Sequence, residues 1–361
     1  MLRLNKISLT HFKNYDISTF EFRENVIGIA GLNGKGKTNL LDAIYYCCFT
    51  KSYFSATDVM NIGIDKSGFR LQAFFDRDEK PQQVICIHRG IGKKEFSLNE
   101  IPYEKFSQHI GFLPAVMIAP DDIEIITGGG EMRRKYIDTI LCQLDAAYLQ
   151  QLMVYNKVLL QRNSLLKKFA ETGKPDESLL EILNAQLSAP GNYIYKKREE
   201  FLPEIIRLTL GFYASISGKN DAVEIGYESV LETMPMEKLL LMQRSKDQLL
   251  QRTTQGIHRD DIWIKMQGEI FKNIASQGQR KSLLFALKLA EYEIIKSHKG
   301  FPPILLLDDV FEKLDNERIK NLLWWVCKQN NGQVFITDTN AERLQMIFES
   351  MDVPYQVEVL L

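Results

Sequence analysis

Residues 25–46 read NVIGIAGLNGKGKTNLLDAIYY. An apolar strand-like run, 25–30, enters a glycine-rich loop, Gly31–Thr38, and the loop opens directly into helical text. The loop fits G-x-x-x-x-G-K-[ST], and the flanking strand and helix are the context in which that pattern cradles phosphate. Backbone N–H groups from Asn33 through Gly34, Lys35 and Gly36 to Lys37 are expected to wrap the β-phosphate. Lys37 would reach the β/γ oxygens and Thr38 would place its hydroxyl on Mg²⁺. Gly31 and Asn39 flank this set and complete the expected ATP site. A glycine-rich turn that binds nothing would leave the matching flanks unexplained.

A phosphate loop of this kind draws a carboxylate from a neighbouring strand. The stretch 304–315, ILLLDDVFEKLD, offers one, because four aliphatics end in Asp308 and Asp309. The C-terminal ends of strands are where an α/β sheet meets its nucleotide. Thr38 and Asp308 are therefore the candidate metal ligands, with Asp308 acting through the hydration shell. Asp309 is the candidate to orient or deprotonate the attacking water, so Lys37, Asp308 and Asp309 form the expected catalytic set. Aspartates that merely cap the following Lys313–Leu314–Asp315 turn are the plainer alternative.

A second phosphate-type feature stands far downstream, at SQGQRKSLLFALKLAE, 276–291. Leu283, Leu287, Ala290 and Ile294 recur at helical spacing, which predicts one core-facing stripe. The first turn carries Ser276, Gly278 and Gln279 beside the free N–H groups of a helix start. A core helix with a polar cap is the competing, plainer alternative.

The bulk properties narrow the class. A chain of 361 residues, 45% hydrophobic and 10% aromatic, can bury two compact cores. With 45 Lys+Arg against 46 Asp+Glu, no global field marks a nucleic acid or a membrane as partner, so any DNA contact must be a local patch. Five scattered cysteines lack C-x-x-C spacing and fit a reducing cytoplasm. No apolar run approaches the roughly 18 residues of a membrane span, and the N-terminus has no secretory pattern.

Along the chain, β-like runs (VIGIAG, FRLQAFF, QVICIH, AVMIA) dominate as far as about residue 125. From 131 to 168 and from 178 to 215 the periodicity becomes helical, with Leu152, Tyr155, Leu159, Leu166 and Phe169 on one stripe. Two long antiparallel helices joined by ETGKPDES, 171–178, are the simplest arrangement. Strand text returns at GIHRDDIWIKM, 256–266, with a Gln267–Gly268 turn, and again at PPILLLDD and GQVFIT. The expected organisation is an α/β domain formed by 1–125 and 251–361, split by a helical lobe at 126–250.

The order of these motifs resembles ABC-type P-loop ATPase heads: an early P-loop, a distant S-x-G-Q helix start, then an aliphatic strand ending in two acids and an LD turn. Within that group the chain resembles the RecF family of bacterial recombination mediators over nearly its whole length. The likeness rests on LTHFKNY (9–15), GLNGKGKTNLLDAIYY (31–46), APDDIEIITGGGEMRRKYID (119–138), YNKVLLQRNSLLK (155–167), GIHRDD (256–261), SQGQRKSLLFALKLAE (276–291) and LLLDDVFEKLD (305–315). Gln161, Arg162 and Asn163 form the most specific of these motifs and separate the family from transporters and long coiled-coil relatives.

The resemblance explains two phosphate features on one chain. In such heads the nucleotide on one P-loop is covered by the S-x-G-Q helix start of a second copy, so ATP joins a homodimer. It further implies sequence-independent binding of duplex DNA near single-strand gaps, weak DNA-stimulated ATP hydrolysis that releases the dimer, and action with RecO and RecR in loading RecA. A small-molecule phosphotransferase is the rival reading, since a P-loop also suits kinases, but the S-x-G-Q helix and the split domain have no task in a monomeric kinase.

The chain also departs from the family pattern. Lys13 stands where the family usually has Arg in FRNY; it keeps the charge directed at the nucleotide phosphates and loses the bidentate fork. Arg280 and Lys281 follow S-x-G-Q where Gln and Arg are common. GIHRDD replaces GPHRDD, which places His258 near the site by resemblance, although alone it reads as a structural histidine. No glutamine stands in MIAPDDIE, and Thr337 or Asp338 occupies the place of the transporter histidine. Basic clusters at 133–135, 167–168 and 196–198 read as solvated helix faces or, by resemblance, as salt-sensitive duplex contacts.

Overall fold

The computed structural model describes residues 1–90, 92, 94–173, 176–218, 221–309 and 316–360. The Lys313–Asp315 turn and the centre of the 171–178 connection lie outside the described residues. The chain forms two compact units, one of residues 1–122, 212–219 and 277–361, the other of 123–211 and 220–276.

In the first unit, β1 (Leu2–Phe12), β2 (Tyr15–Glu21), β4 (Gly68–Arg77), β5 (Lys80–Arg89), β6 (Lys94–Leu98) and β7 (Ile101–Pro102) make an antiparallel sheet of order β2-β1-β4-β5-β6-β7. A second sheet, β14-β3-β13-β12-β8, is parallel throughout and is built from β3 (Val26–Ala30), β8 (Ala115–Ile118), β12 (Ile304–Leu307), β13 (Val334–Asp338) and β14 (Tyr355–Val359). Its inner strands are buried at every residue, which is why they read as unbroken aliphatic runs rather than alternating ones.

The P-loop helix α1 (Lys37–Phe49) packs against strands of both sheets, and its buried residues include Leu40, Leu41, Ile44 and Tyr46. One continuous core joins these side chains to Leu9, Leu71, Ile29, Leu306 and Phe335. Helix α9 (Gln277–Lys299) buries the stripe Leu283, Leu287, Ala290 and Ile294 that its spacing predicts. α10 (Asn316–Trp324) and α11 (Ala341–Ser350) complete the unit.

The second unit contains α2 (Glu124–Thr127), α3 (Gly130–Leu144), α4 (Ala146–Thr172), most of α5 (Glu177–Ser217), α6 (Met236–Met242), α7 (Arg244–Leu249) and α8 (Phe271–Ile274). The expected first long helix is two helices. Asp145 sits between them in an extended conformation and caps α4 by accepting from the N–H groups of Ala147 and Tyr148 at 2.8 and 3.1 Å.

Pairs across α4 and α5 run antiparallel at intervals of seven residues: Tyr148 with Arg198, Tyr155 with Gly191, and Arg162 with Asn184. A period of seven keeps one seam facing its partner, as in coiled coils. In the last of these pairs Arg162 is fully buried and donates to Asp247 and Thr253 at 2.8 Å and to Asn184 at 2.7 Å. Asn163 accepts from the Thr253 N–H at 2.7 Å. The Gln161–Asn163 motif thus fastens α4 to α5 and to the segment after α7. A buried ion pair of this kind is costly to break, at roughly 3–5 kcal/mol when one partner is removed.

The second unit also holds an antiparallel sheet of β9 (Val223–Glu228), β10 (Asp261–Met266) and β11 (Glu269–Ile270), ordered β11-β10-β9. Residues 251–276 therefore group with the helices, and the contact boundaries fall at 122/123 and 276/277 rather than at the expected 125/126 and 250/251. The cause is β9, an alternating run inside the stretch that reads as purely helical; its partner is β10.

Candidate nucleotide site

Strand β3 delivers the chain to Gly31, whose N–H donates to the Asp338 carbonyl at 3.1 Å and so ties the loop's entry to the end of β13. A Cβ on Gly31 would stand 2.8 Å from the Leu360 carbonyl oxygen, so only glycine fits. Gly36 is in the left-handed region at φ 103°, and a Cβ there would meet the Asn14 amide at 2.6 Å and the Tyr15 hydroxyl at 2.9 Å. The conformational demand that the pattern encodes is met at both positions.

The loop's tip, Asn33, Gly34 and Lys35, is exposed, whereas Lys37 is 6% exposed. The Lys37 Nζ donates to the Gly31 carbonyl at 2.7 Å and the Leu32 carbonyl at 3.3 Å, which holds its charge along the inner edge of the loop. Asn39 donates to Asn14 at 2.7 Å, anchoring the helix start to the β1–β2 turn.

Thr38 and Asp308 come together: the Thr38 hydroxyl lies 2.9 and 3.1 Å from the two carboxylate oxygens. Asp308 also accepts from the Thr337 hydroxyl at 2.9 Å, and its own N–H donates to the Ile118 carbonyl at 2.8 Å. Burial raises the Asp308 pKa, the two threonine hydroxyls and Lys37 oppose that rise, and Asp309 adds to it. Asp309 lies next in the chain at φ 48°, a left-handed conformation that Asp tolerates better than most residues, and its N–H sits 2.9 Å from the Thr337 Oγ1.

Thr337 therefore positions both acids, a role its sequence context does not reveal, since the position reads only as the place of the transporter histidine. The one signal was a hydroxyl at the end of an aliphatic strand. Asp338 is turned to Arg343, whose Nε donates to it at 2.6 Å, and caps the 338–340 turn.

Lys13 is engaged with the fully buried Asp42 of α1 at 2.5 Å. Asp42, which the sequence does not mark as special, accepts from Ser52 at 2.6 Å and from the Tyr53 N–H at 2.7 Å. Gly278 and Gln279 lie half-buried in the first turn of α9, and the guanidinium of Arg318 in α10 fills the space above Gly278. Ser276 is exposed and is the last residue of the second unit.

The basic clusters divide. Arg198 is 1% exposed and pairs with Asp138 and Asp260, Arg133 pairs with Asp261, and Arg134 donates to the Asp260 carbonyl. Lys135, Lys167, Lys168 and Lys196 remain exposed. His258 lies in the second unit, with Nδ1 2.8 Å from the Tyr155 hydroxyl and Nε2 3.1 Å from the Thr253 carbonyl. Burial lowers its pKa to about 4, so it serves as a neutral structural group.

Residues 3–359 match the family described as RecF/RecN/SMC N terminal domain. A DNA replication and repair protein RecF from Flavobacterium johnsoniae is 41% identical over 356 residues, which is 99% of each chain. The chain belongs to the RecF family. Its fold agrees: the recombination mediator protein RecF–ATP of the RecFOR pathway matches with a TM-score of 0.85 at 32% identity, covering 94% of this chain and 92% of that one. An Smc head domain from Pyrococcus furiosus, 17% identical with a TM-score of 0.55, covers 96% of this chain and 92% of its own and shares the fold of an ABC-type ATPase head.

The residues of this RecF-family chain fit a nucleotide and its metal. The glycines admit close approach to the loop's backbone, Lys37 supplies charge, and Thr38 with Asp308 pairs a hydroxyl and a carboxylate, the hard oxygen donors Mg²⁺ prefers when it shares its shell with water and phosphate. Among the described residues, no helix is long and apolar enough to cross a membrane, and none of the five cysteines is in a disulfide.

Proposed function

We propose that the chain binds ATP at Gly31–Asn39 with Lys13 beside it, and that Ser276, Gly278 and Gln279 of a second copy cover the same nucleotide. Family membership makes it an ATP-hydrolysing protein of DNA replication and repair. Mg²⁺ would be held by Thr38 and Asp308 and would neutralise charge on the phosphates. Asp309 would orient the attacking water, held in place through its N–H contact with Thr337. In this reading the first unit is the ATPase head and the second the helical lobe. ATP closes two heads on duplex DNA beside single-stranded gaps, without sequence preference, and hydrolysis reopens them. RecR and RecO are the expected partners in loading RecA, in the cytoplasm.

The observation that supports this most is the Thr38–Asp308 contact, in which the two residues proposed to hold the metal meet from opposite ends of the chain. Within the three basic clusters, the exposed Lys135, Lys167, Lys168 and Lys196, rather than the paired Arg133, Arg134 and Arg198, are the groups left for phosphate contact. A phosphotransferase needs neither the S-x-G-Q turn nor the RecF-type lobe. Sedimentation with ATP, ADP or no nucleotide, each with and without duplex DNA, tests the proposal. Dimers only with ATP, stabilised by duplex, are expected; a monomer in every condition would reject it.

A further inference from the structure

Away from the phosphate loop, a buried chain of polar contacts runs from α1 to α9 within the first unit. It begins at Asp42, which binds Lys13, the Ser52 hydroxyl and the Tyr53 N–H. The Tyr53 ring packs edge-on against Tyr45 of α1, with centroids 4.9 Å apart, and its hydroxyl donates to Asp122. Asp122 also accepts from the Ala119 N–H at 2.8 Å. The Lys288 ammonium, on α9, lies 3.9 Å from Asp122, 3.3 Å from Glu291 one turn further along, and 6.0 Å from the centre of the Tyr53 ring. Asp122, Lys288 and Glu291 are all buried, so two carboxyl groups share one ammonium out of water.

That imbalance has a physical consequence. A lone ammonium cannot neutralise two desolvated carboxylates, so one of them holds a proton more readily than it would in water. Glu291 is that group: burial raises its pKa to about 7, Lys288 works against the rise and Asp122 adds to it. Among the described residues, the remaining titratable groups facing this cluster are Tyr45 and Tyr53, both pushed far upward by burial, and Asp121 beside Asp122. Strand β8, which packs on α9, contributes only Ala115, Val116, Met117 and Ile118.

We propose that Tyr53, Asp122, Lys288 and Glu291 are positioning residues for ATP hydrolysis: they set α9, and with it Gly278 and Gln279, against the P-loop helix, and the share of Lys288 held by Asp122 changes as Glu291 gains or loses a proton. With Glu291 protonated, Lys288 belongs to Asp122; with Glu291 ionised, Lys288 is drawn back along its own helix. The inference rests on the ATPase reading above and adds to it a link between the lysine-bearing β1–β2 turn, α1 and the α9 start.

The test is the pH dependence of steady-state ATP hydrolysis, between about pH 6 and 8.5, for the full chain and for Glu291→Gln, Lys288→Met, Lys288→Arg and Tyr53→Phe, with ATP affinity and thermal unfolding measured alongside. The unaltered protein should show an inflection in kcat near pH 7, which Glu291→Gln abolishes while ATP affinity stays within about twofold. Lys288→Met should lower kcat about tenfold or more with little change in KM, as expected for misplaced rather than missing contacts, and Lys288→Arg should recover most of it. A folded Glu291→Gln protein with the same inflection as the unaltered chain overturns the proposal, as does a Lys288→Met protein with unaltered kcat. If the unaltered chain hydrolyses no ATP at any pH, the ATPase reading itself fails.

Discussion

The Thr38 hydroxyl stands 2.9 Å from an oxygen of the Asp308 carboxylate, and the two residues are 270 positions apart in sequence. The contact places the hydroxyl of the P-loop helix on the carboxylate that follows β12, so the donors proposed for the metal meet through folding alone.

Thr38→Val keeps the shape and removes the hydroxyl. Asp308 would then keep Thr337 as its hydroxyl partner, and with one favourable hydrogen bond gone its already raised pKa should rise further. ATP affinity without magnesium should be nearly unchanged, while the gain on adding magnesium should shrink by roughly 1–3 kcal/mol, the scale of a lost charge-assisted contact. Titrations of ATP with and without magnesium check this; an undiminished magnesium effect would remove Thr38 from the site.

Asp309→Asn preserves size and the backbone contact to Thr337 while removing the carboxylate. Hydrolysis should fall by about 10²–10⁴-fold, the usual contribution of a positioned acid or base, and ATP-bound dimers should persist longer. Single-turnover hydrolysis followed by sedimentation measures both, and an unaltered rate would reassign Asp309 to the turn that follows it.

Stability should depend on pH in two opposing ways. Burial holds His109 and His258 at pKa values of about 4, so both are neutral in the folded protein, while the unfolded chain protonates them below the ordinary 6.5. Their contribution is complete above pH 6.5 and is lost as pH falls through about 4. Glu291 has the opposite sign: with its pKa raised from 4.5 to about 7, its contribution is complete below pH 4.5 and is lost as pH rises through about 7. Unfolding measured from acid to neutral pH should show a shallower acid limb in His258→Gln and a shallower decline toward neutrality in Glu291→Gln, at about 1.4 kcal/mol per pKa unit. A limb that its variant leaves unmoved would show that the group titrates alike in both states.

The sequence made the strand–loop–helix at 25–46 and the aliphatic strand before Asp308 plain, because each depends on neighbours within a few residues. Asp42 and Thr337 were hidden for the opposite reason. Both look like ordinary helix and strand residues until Lys13, Ser52 and Asp308 arrive from other segments. The basic clusters misled in the same way: Arg133 and Arg198 resemble surface charge in one dimension, yet Asp261, Asp138 and Asp260 draw them inward. β9 escaped notice because its alternation is short and its partner β10 lies beyond two further helices, and with it went the assignment of 251–276.

The central claim is that the two proposed phosphate-binding features of one chain serve different nucleotides. Lys37→Ala should weaken the P-loop, and Ser276→Arg, at an exposed position, should block the α9 start without disturbing a core. Each protein alone should then fail to close, while their mixture should regain one intact composite site per heterodimer. A salt titration of duplex DNA binding with ATP reads the outcome, since about four neutralised phosphates give a log–log slope near −3.6 and roughly eight give twice that. Recovered affinity with a steeper slope in the mixture alone is the predicted result. Two folded proteins that associate yet show no recovery when mixed would contradict the account.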